Sequence, residues 1–475
     1  MTIWLYSTET VLSAAALFFF FWSLRKDLAV DLLEKMAGVW GGVVFISAIL
    51  SLGFRGSFFA EAYEMDAFSQ FVKLIIAGGY FIACLISRNI RDVEGKYRPE
   101  YFLFLTTATL GMTALVSCKD LITLYTSLEL SSYSLYILIP LRKRDDSSVE
   151  AGIKYLLMGV AATGVMIYGF SLIFGLTQTT YLDEIARKLP ELIGIPAFWV
   201  AFFLSLVAFL FKLSLFPLHF WAPDVYEGGN TQTVGFISTV SKVAGLAVLI
   251  RFIMMMGHDN RMLEGVWIVL AIVTMSIGNL AALIQGDMKR LLAYSSIAQA
   301  GYFLIGVLCQ NNRGLSATMF YSAVYVVMNF AAFFVVTQIS RNGENVNLSQ
   351  FRGLSSRSPL LALTLMLSLF SLAGVPPLAG FTGKWFLFSA AVTSGYKFLA
   401  VIAILNSVIS LYYYLLIVRE SYTAPEKVGE MPAVILSPVA RVFCYATILF
   451  LAIGGFFPGL LMPLAEKSVA LFFGA

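Results

Sequence analysis

The chain has 475 residues, 59% of them hydrophobic and 13% charged, with a mean hydropathy of +0.83 and a formal net charge of +4. A soluble domain carries about 25% charged residues, so this composition excludes an ordinary soluble protein and describes a polytopic membrane protein. The charge is scattered, and no basic block offers a footprint for nucleic acid.

A membrane helix needs ~20 mostly apolar residues. The N-terminal MTIWLYSTET runs straight into an apolar stretch ending FFFFWSL. It lacks the basic region and small-residue cleavage site of a signal peptide, and it reads as the first membrane helix. Further segments lie near 36–54, 67–87, 101–118, 121–140, 150–176, 196–216 with an extension to about 226, 231–256, 262–284, 291–310, 315–340, 359–394, 397–419 and 438–462. The fold class is therefore all-α, polytopic, with about 14 transmembrane helices.

Of the 32 Lys and Arg residues, more than half fall in alternate connections, namely those holding Arg25 to Lys35, Arg88 to Arg98, Arg142 to Arg144, Lys289 and Arg290, Arg341 to Arg357, and Arg419 to Arg441. The positive-inside rule places those connections inside and both termini outside. Two segments are too long and too interrupted for plain spans: FLFKLSLFPLHFWAPDVYEGG, with Pro217 and Pro223, and SLFSLAGVPPLAGFTGKWFLF, with Pro376, Pro377 and three glycines. Proline removes a donor and clashes with the preceding turn, so both helices should break at membrane depth. Broken helices at corresponding positions of two halves point to a transporter's site. Lys212 and Lys384, roughly 170 residues apart, fit such a repeat, as does a loose match of 126–137 to 295–306.

Lys212, Lys242 and Lys384 each lie inside an apolar stretch, and Glu129 is the acid placed deepest in the membrane, Glu9 lying nearer the outer end of the first helix. A charge at the bilayer centre costs at least ~2.5–3.5 kcal/mol on insertion scales, so these four residues are the candidates for moving charge, foremost protons. Lysine suits a switching role because its proton can be removed, whereas arginine keeps its own. The bland readings are snorkelling for Lys212, an end-of-helix lysine reaching the interface for Lys384, and a serine-bonded structural acid for Glu129. Lys154, four residues into its segment, divides between relay and snorkelling, and Lys73 reads as interfacial. His219, just past the first break, passes a proton or bonds a freed carbonyl. His258 and the Asp224–Glu227 pair read as solvated.

Cys84, Cys118, Cys309 and Cys444 are far apart and form no CxxC, so neither an iron–sulfur cluster nor a structural zinc site is indicated. Two histidines are too few for paired haem ligation, and no GxGxxG or P-loop is present. No cofactor or metal is expected in this chain.

FKLSLFPLHFWAPDVYEG, STVSKVAGL, GIKYLLMGVAATG, MKRLLAYSSIAQAGY and SLAGVPPLAGFTGKW resemble the antiporter-like, proton-translocating membrane subunits of complex I, in particular the subunit N type of NADH-quinone oxidoreductase. The PDVYEG ending separates this type from related subunits and from multi-subunit sodium/proton antiporters. The resemblance covers roughly residues 100–420. It implies two inverted five-helix repeats with broken helices 7 and 12, over 101–257 and 258–422, flanked by 1–100 and 423–475. It implies a Glu129–Lys212 charge pair, Lys242 as central relay, Lys384 at the exit and Lys154 as a further relay lysine. The function implied is proton translocation coupled to quinone reduction in other subunits of a respiratory complex I. Flavin, iron–sulfur clusters and quinone would then sit in partner subunits. The partners would be the other membrane-arm subunits, and the location an energy-converting membrane, the bacterial inner membrane first. The alternatives are a subunit of a cation/proton antiporter or membrane-bound hydrogenase, a structural membrane scaffold, and a stand-alone transporter.

Overall fold

The computed structural model describes residues 6–25, 29–88, 90–142, 146–256, 261–340, 343–424 and 433–473, with backbone alone at 261 and 262. His258, Lys26, Lys143, Arg144, Arg341 and Lys427 lie outside the described residues. Helices follow one another as α1 (Ser7–Ser23), α2 (Val30–Ser51), α3 (Ala67–Ile86), α4 (Arg98–Leu115), α5 (Leu121–Leu138), α6 (Asp146–Thr177), α7 (Leu182–Leu192), α8 (Pro196–Leu213), α9 (Trp221–Gly228) and α10 (Thr231–Phe236). They continue as α11 (Lys242–Met255), α12 (Arg261–Ala282), α13 (Met288–Leu308), α14 (Asn312–Ile339), α15 (Leu354–Arg357), α16 (Pro359–Ala373), α17 (Ala379–Thr393), α18 (Lys397–Tyr422), α19 (Pro438–Phe456) and α20 (Met462–Val469). Among the described residues, ten helical stretches are long and apolar enough to cross a bilayer.

Local chemistry sets the helix starts. Asp66, Asp120, Asp287 and Asn311 accept backbone N–H bonds at the heads of α3, α5, α13 and α14, and Pro196, Pro359 and Pro438 occupy first positions where no donor is needed. The continuous stretch α10–α11, with α13 and α14, forms the centre. Its apolar windows are 100%, 94% and 89% buried, against 39% for α2, α6 and α18. Helices apolar all round belong in such a position, and polar side chains on them are held far from water.

Both interrupted spans break as their prolines require. Helix α8 ends at Ser214 and α16 at Gly374, each in the left-handed region at φ 58° and 86°. Leu215 N–H turns back to Leu210 O at 2.9 Å, and Val375 N–H to Phe370 O at 2.9 Å. Each break contains a cis peptide bond, Phe216–Pro217 and Pro376–Pro377. Lys212 precedes its break and Lys384 follows its own, so the spacing between these lysines is not what relates the two spans; Ser214 and Pro217 share one offset with Gly374 and Pro377.

Besides the single turn α15, three elements fall outside the expected segments. A hairpin pairs β1 (Gly56–Phe58) with β2 (Tyr63–Met65), Gly56 opposite Met65. Helix α7 is short and two-faced, with Leu182, Ile185, Leu189 and Leu192 buried, and α20 packs on α3 and α14. Lys119 ties the hairpin to α7 through Glu64 at 2.9 Å and Asp183 at 3.2 Å.

This cover corrects the reading of Lys73 as interfacial. With the hairpin and α20 over its end of α3, Lys73 is fully buried and pairs with Glu9 at 2.6 Å, while Tyr63 OH donates to the same carboxylate oxygen at 2.8 Å. Nearby, Arg251 of α11 reaches Asp66 at 2.8 Å and donates to Val116 O at 3.3 Å. Burial would raise the Asp66 carboxyl, but Arg251 and Ser69 outweigh it and hold it below the usual carboxylate range. Removing one partner of a buried pair strands the other. Arg251→Gln should therefore cost about 3 kcal/mol, read as a lower thermal unfolding midpoint, with partial recovery in Arg251→Gln/Asp66→Asn; an unchanged midpoint in the single variant would remove this pair from the fold's supports.

Candidate functional site

Buried basic groups differ in how they are held. Lys73 and Arg251, with the part-buried Arg98 and Lys119, lie in ion pairs, and Arg142 and Lys289 reach backbone carbonyls of Glu227 and Gly229. Lys212, Lys242 and Lys384 are 4%, 0% and 2% exposed, and among the described residues none of them makes an ion pair. Neutral oxygens hold all three.

Lys212 sits in the last turn of α8. Its ammonium donates to Ser131 Oγ at 2.8 Å and Ser132 Oγ at 3.4 Å on α5, and its stem lies along Gly245 of α11, where a Cβ would sit 3.5 Å away. Gly245 is about one turn beyond Lys242, so the two lysines are on adjoining surfaces of α8 and α11. Glu129 is buried on α5 with neither carboxylate oxygen hydrogen bonded. Lys212 is near enough to act on it electrostatically, and the Thr163 hydroxyl of α6 stands near it without meeting hydrogen-bond geometry. The expected Glu129–Lys212 pair is thus a neighbourhood and not a contact in this structure, because the serines take the amine.

Lys242 begins α11 directly after a π-helical turn, Ile237–Ser241. Such turns shift the backbone ladder by one residue and free a carbonyl. Here Tyr325 OH of α14 donates to Ser238 O at 2.9 Å, and Asn329 Nδ2 donates to Ser238 Oγ at 3.0 Å. The Lys242 ammonium donates to Ser296 O at 2.9 Å and Ser296 Oγ at 3.0 Å on α13. Ser296 Oγ in turn reaches Tyr226 OH of α9 at 3.4 Å.

Lys384 lies on α17 behind the second break. It donates to Ala373 O, the carbonyl freed there, at 3.2 Å and to Ser407 Oγ of α18 at 2.9 Å. Its ammonium stands 4.4 Å from the centre of the Tyr302 ring. Lys384 and Ser407 border a cavity of about 530 Å³ between the break, α17 and α18.

Polar side chains that the sequence reading did not single out join these stations. Ser295, beside Ser296, hydrogen bonds Tyr414 OH. Tyr414 packs on Tyr413 with ring centres 4.4 Å apart, and Tyr413 OH donates to Asn279 Oδ1 at 3.0 Å. Asn279 Nδ2 faces Tyr302 OH at 3.4 Å and Asn406 Oδ1 at 3.1 Å. A file of polar groups is therefore spaced from Lys242 to the ring under Lys384 across α13, α18 and α12. It is hydrogen bonded except between Ser296 and Ser295, which are chain neighbours, and between Tyr414 and Tyr413, which meet by ring packing. Gln299 of α13 adds a side arm, donating to Leu372 O at 3.2 Å and accepting from Tyr321 OH at 2.5 Å.

The remaining candidates lie elsewhere. Lys154 is 43% exposed at the basic end, bound to Glu150 at 2.7 Å and Asp224 at 2.9 Å. Asp224 and Glu227 are not a loosely solvated turn: they stand on α9, and Arg290 of α13 clamps them at 3.0 and 2.8 Å. His219 is buried after the first break, with Nδ1 unpartnered and its ring 4.3 Å from that of Phe220. Among the described residues, no cluster of His, Cys, Asp and Glu could hold a metal, and the four cysteines are unbridged.

Residues 118–410 match the family model described as NADH:quinone oxidoreductase/Mrp antiporter, TM. The chain is similar to NADH-quinone oxidoreductase subunit N 2 of Syntrophobacter fumaroxidans, 42% identical over 463 residues and 98% of each chain. It superposes on a chain of respiratory complex I from Thermus thermophilus with a TM-score of 0.83 at 33% identity, covering 97% of this chain and 99% of that one. A chain of the Mrp complex from Dietzia sp. shares the fold, with a TM-score of 0.87 at 20% identity over 100% and 98% of the two chains. The lysine-bearing core thus lies within the matched region, and the chain belongs to the NADH:quinone oxidoreductase/Mrp antiporter membrane family, as a member of its subunit N type.

Proposed function

We propose that this chain is the proton-translocating subunit N of a respiratory complex I, carrying protons through Glu129, Lys212, Lys242 and Lys384 while quinone is reduced in other subunits. In this reading α1, α4, α5 and the α16–α17 pair join the ten long apolar stretches to make fourteen spans. The spans from 101–257 and 258–422 form two inverted five-helix repeats, between helices within 1–100 and 423–475. The shared placement of Ser214 and Pro217, and of Gly374 and Pro377, supports the repeat. Both termini face the proton-positive side of a bacterial inner membrane. Neighbouring membrane-arm subunits flank the chain, and flavin, iron–sulfur clusters and quinone belong to partners.

One observation carries the reading: three deeply buried amines are held by hydroxyls and carbonyls alone, and a polar file links two of them. A carboxylate partner would lock an amine in its charged form, and neutral acceptors do not. Protons arrive from the basic end near α9, where Lys154 and His219 are further stations. They pass Lys212 and Lys242, follow the file to Lys384 and leave on the opposite side. Glu129 gates the first step, its bare oxygens standing ready to draw the Lys212 amine off Ser131 and Ser132. A purely structural scaffold has no use for lysines without counter-ions.

Replacing Lys242 with Met removes the central station. Proton pumping per electron should fall, with the transfer step slowed by about 10²-fold, while the complex still assembles; an unchanged proton-to-electron ratio and turnover would contradict the relay. Asn279→Leu interrupts the file without touching a lysine. Pumping should slow about tenfold, the kinetic equivalent of one lost hydrogen-bonded step, and wild-type pumping in that variant would detach the file from the transport path.

A further inference from the structure

Helices α3 and α19 both pack on α14 and leave between them an apolar groove of about 570 Å³, walled by Phe81, Ile82, Leu85, Val439, Phe443 and Phe450. Val442, on the same stretch of α19, is 67% exposed. At the basic end the groove runs on through a narrower space of about 210 Å³ that shares Leu85, Val439 and Phe443 with it. That space shares Arg88, Gln338 and Ser437 with a polar cavity of about 130 Å³. Apolar groove, neck and polar chamber therefore adjoin one another in line, each sharing wall residues with the next.

The chamber is made for an anion. Arg88 makes no ion pair among the described residues, and Arg91, which has partners of its own, borders the same space and donates to Ser340 O at 3.5 Å. Ser437 is the N-cap of α19, a helix of 19 residues, so the positive end of its dipole faces the same chamber. Asp92 also borders it, nine-tenths buried, with Oδ1 lacking a partner. Burial raises the Asp92 carboxyl against the pull of Lys289 and Arg142, which weakens it as a rival for the arginines.

We propose that groove, neck and chamber together bind one anionic glycerophospholipid, with the phosphate at Arg88 and Arg91 beside the head of α19 and an acyl chain along the groove between α3 and α19. Basic pockets between membrane helices on the inner side recognise such headgroups, and this end of the bundle is the one the positive-inside rule turns inward. A free phosphate would use the chamber alone; the groove that leads out of it calls for a hydrocarbon tail joined to the anion. The site is separate from the lysine file and does not depend on its role.

The test is native mass spectrometry of the intact complex, stripped of loosely held lipid and then titrated with phosphatidylglycerol or phosphatidylcholine. Wild type should retain phosphatidylglycerol in preference. Arg88→Gln should weaken that retention about fivefold, and Ala446→Trp, which fills the groove and leaves the arginines alone, should lower it as well. Equal retention in both variants and wild type would overturn the proposal. So would displacement by inorganic phosphate at the same concentration, which would mark a free-anion site. So would cross-linking of a cysteine placed at Val442 to a helix of a neighbouring subunit in native membranes.

Discussion

Inside a bilayer no water is available to a backbone group that loses its helical partner, so any irregular backbone must be completed by protein. Three irregularities occur at the heart of this chain, and each is completed by a particular side chain. Trp221 Nε1 donates to Phe211 O at 3.0 Å across the first break. Tyr325 takes the Ser238 carbonyl at the π-helical turn. At the second break the donor is Lys384 itself. The need to complete broken backbone thus brings the break, the amine and the helices bearing their partners to the same depth.

That need also explains how the charges are sorted. Near the hairpin-covered end, Lys73, Arg251 and Lys119 have carboxylates within reach and serve as fastenings between α1, α3, α11, the hairpin and α7. At the basic end Arg290 and Lys154 bind α9 to α13 and α6. Between these two fastened layers lie the lysines that have only hydroxyls and carbonyls for company. A fastening removed loosens the fold, and a station removed leaves the fold standing but interrupts the file.

Much of this was legible in the sequence, because depth is written in hydropathy and breaks are written in proline. Lys212, Lys242, Lys384 and Glu129 stood out as charges inside apolar runs, and Pro217 with Pro223, and Pro376 with Pro377, marked both interruptions, although Pro223 sits in the first turn of α9 and breaks nothing. The partners did not stand out. A serine or threonine in a membrane helix commonly bonds its own preceding turn, as Ser131 does to Leu128 O and Thr239 to Gly235 O, so polarity alone does not say which hydroxyl meets a neighbour. Asn279, Asn329, Asn406 and Gln299 carried a fainter signal, being amides in apolar runs whose several donors and acceptors exceed what one preceding turn can satisfy. Asn406 bonds Ile402 O and Asn329 bonds Tyr325 OH on their own helices, and each still reaches a neighbour. Lys73 was misread because its depth depends on the hairpin and α20 packing over it, and neither follows from the hydropathy of α3.

Count the acceptors around each amine. Lys212 meets two serine oxygens, Lys242 a carbonyl and a hydroxyl, and Lys384 a carbonyl and a hydroxyl. An ammonium has three hydrogens to place, and an uncharged amine has two. Each cradle is thus complete in oxygens for the deprotonated side chain; a third hydrogen finds no oxygen seat at any of them, and at Lys384 it meets only the face of the Tyr302 ring. Whatever drives the cargo onward need not tear a bond out of the scaffold to do so.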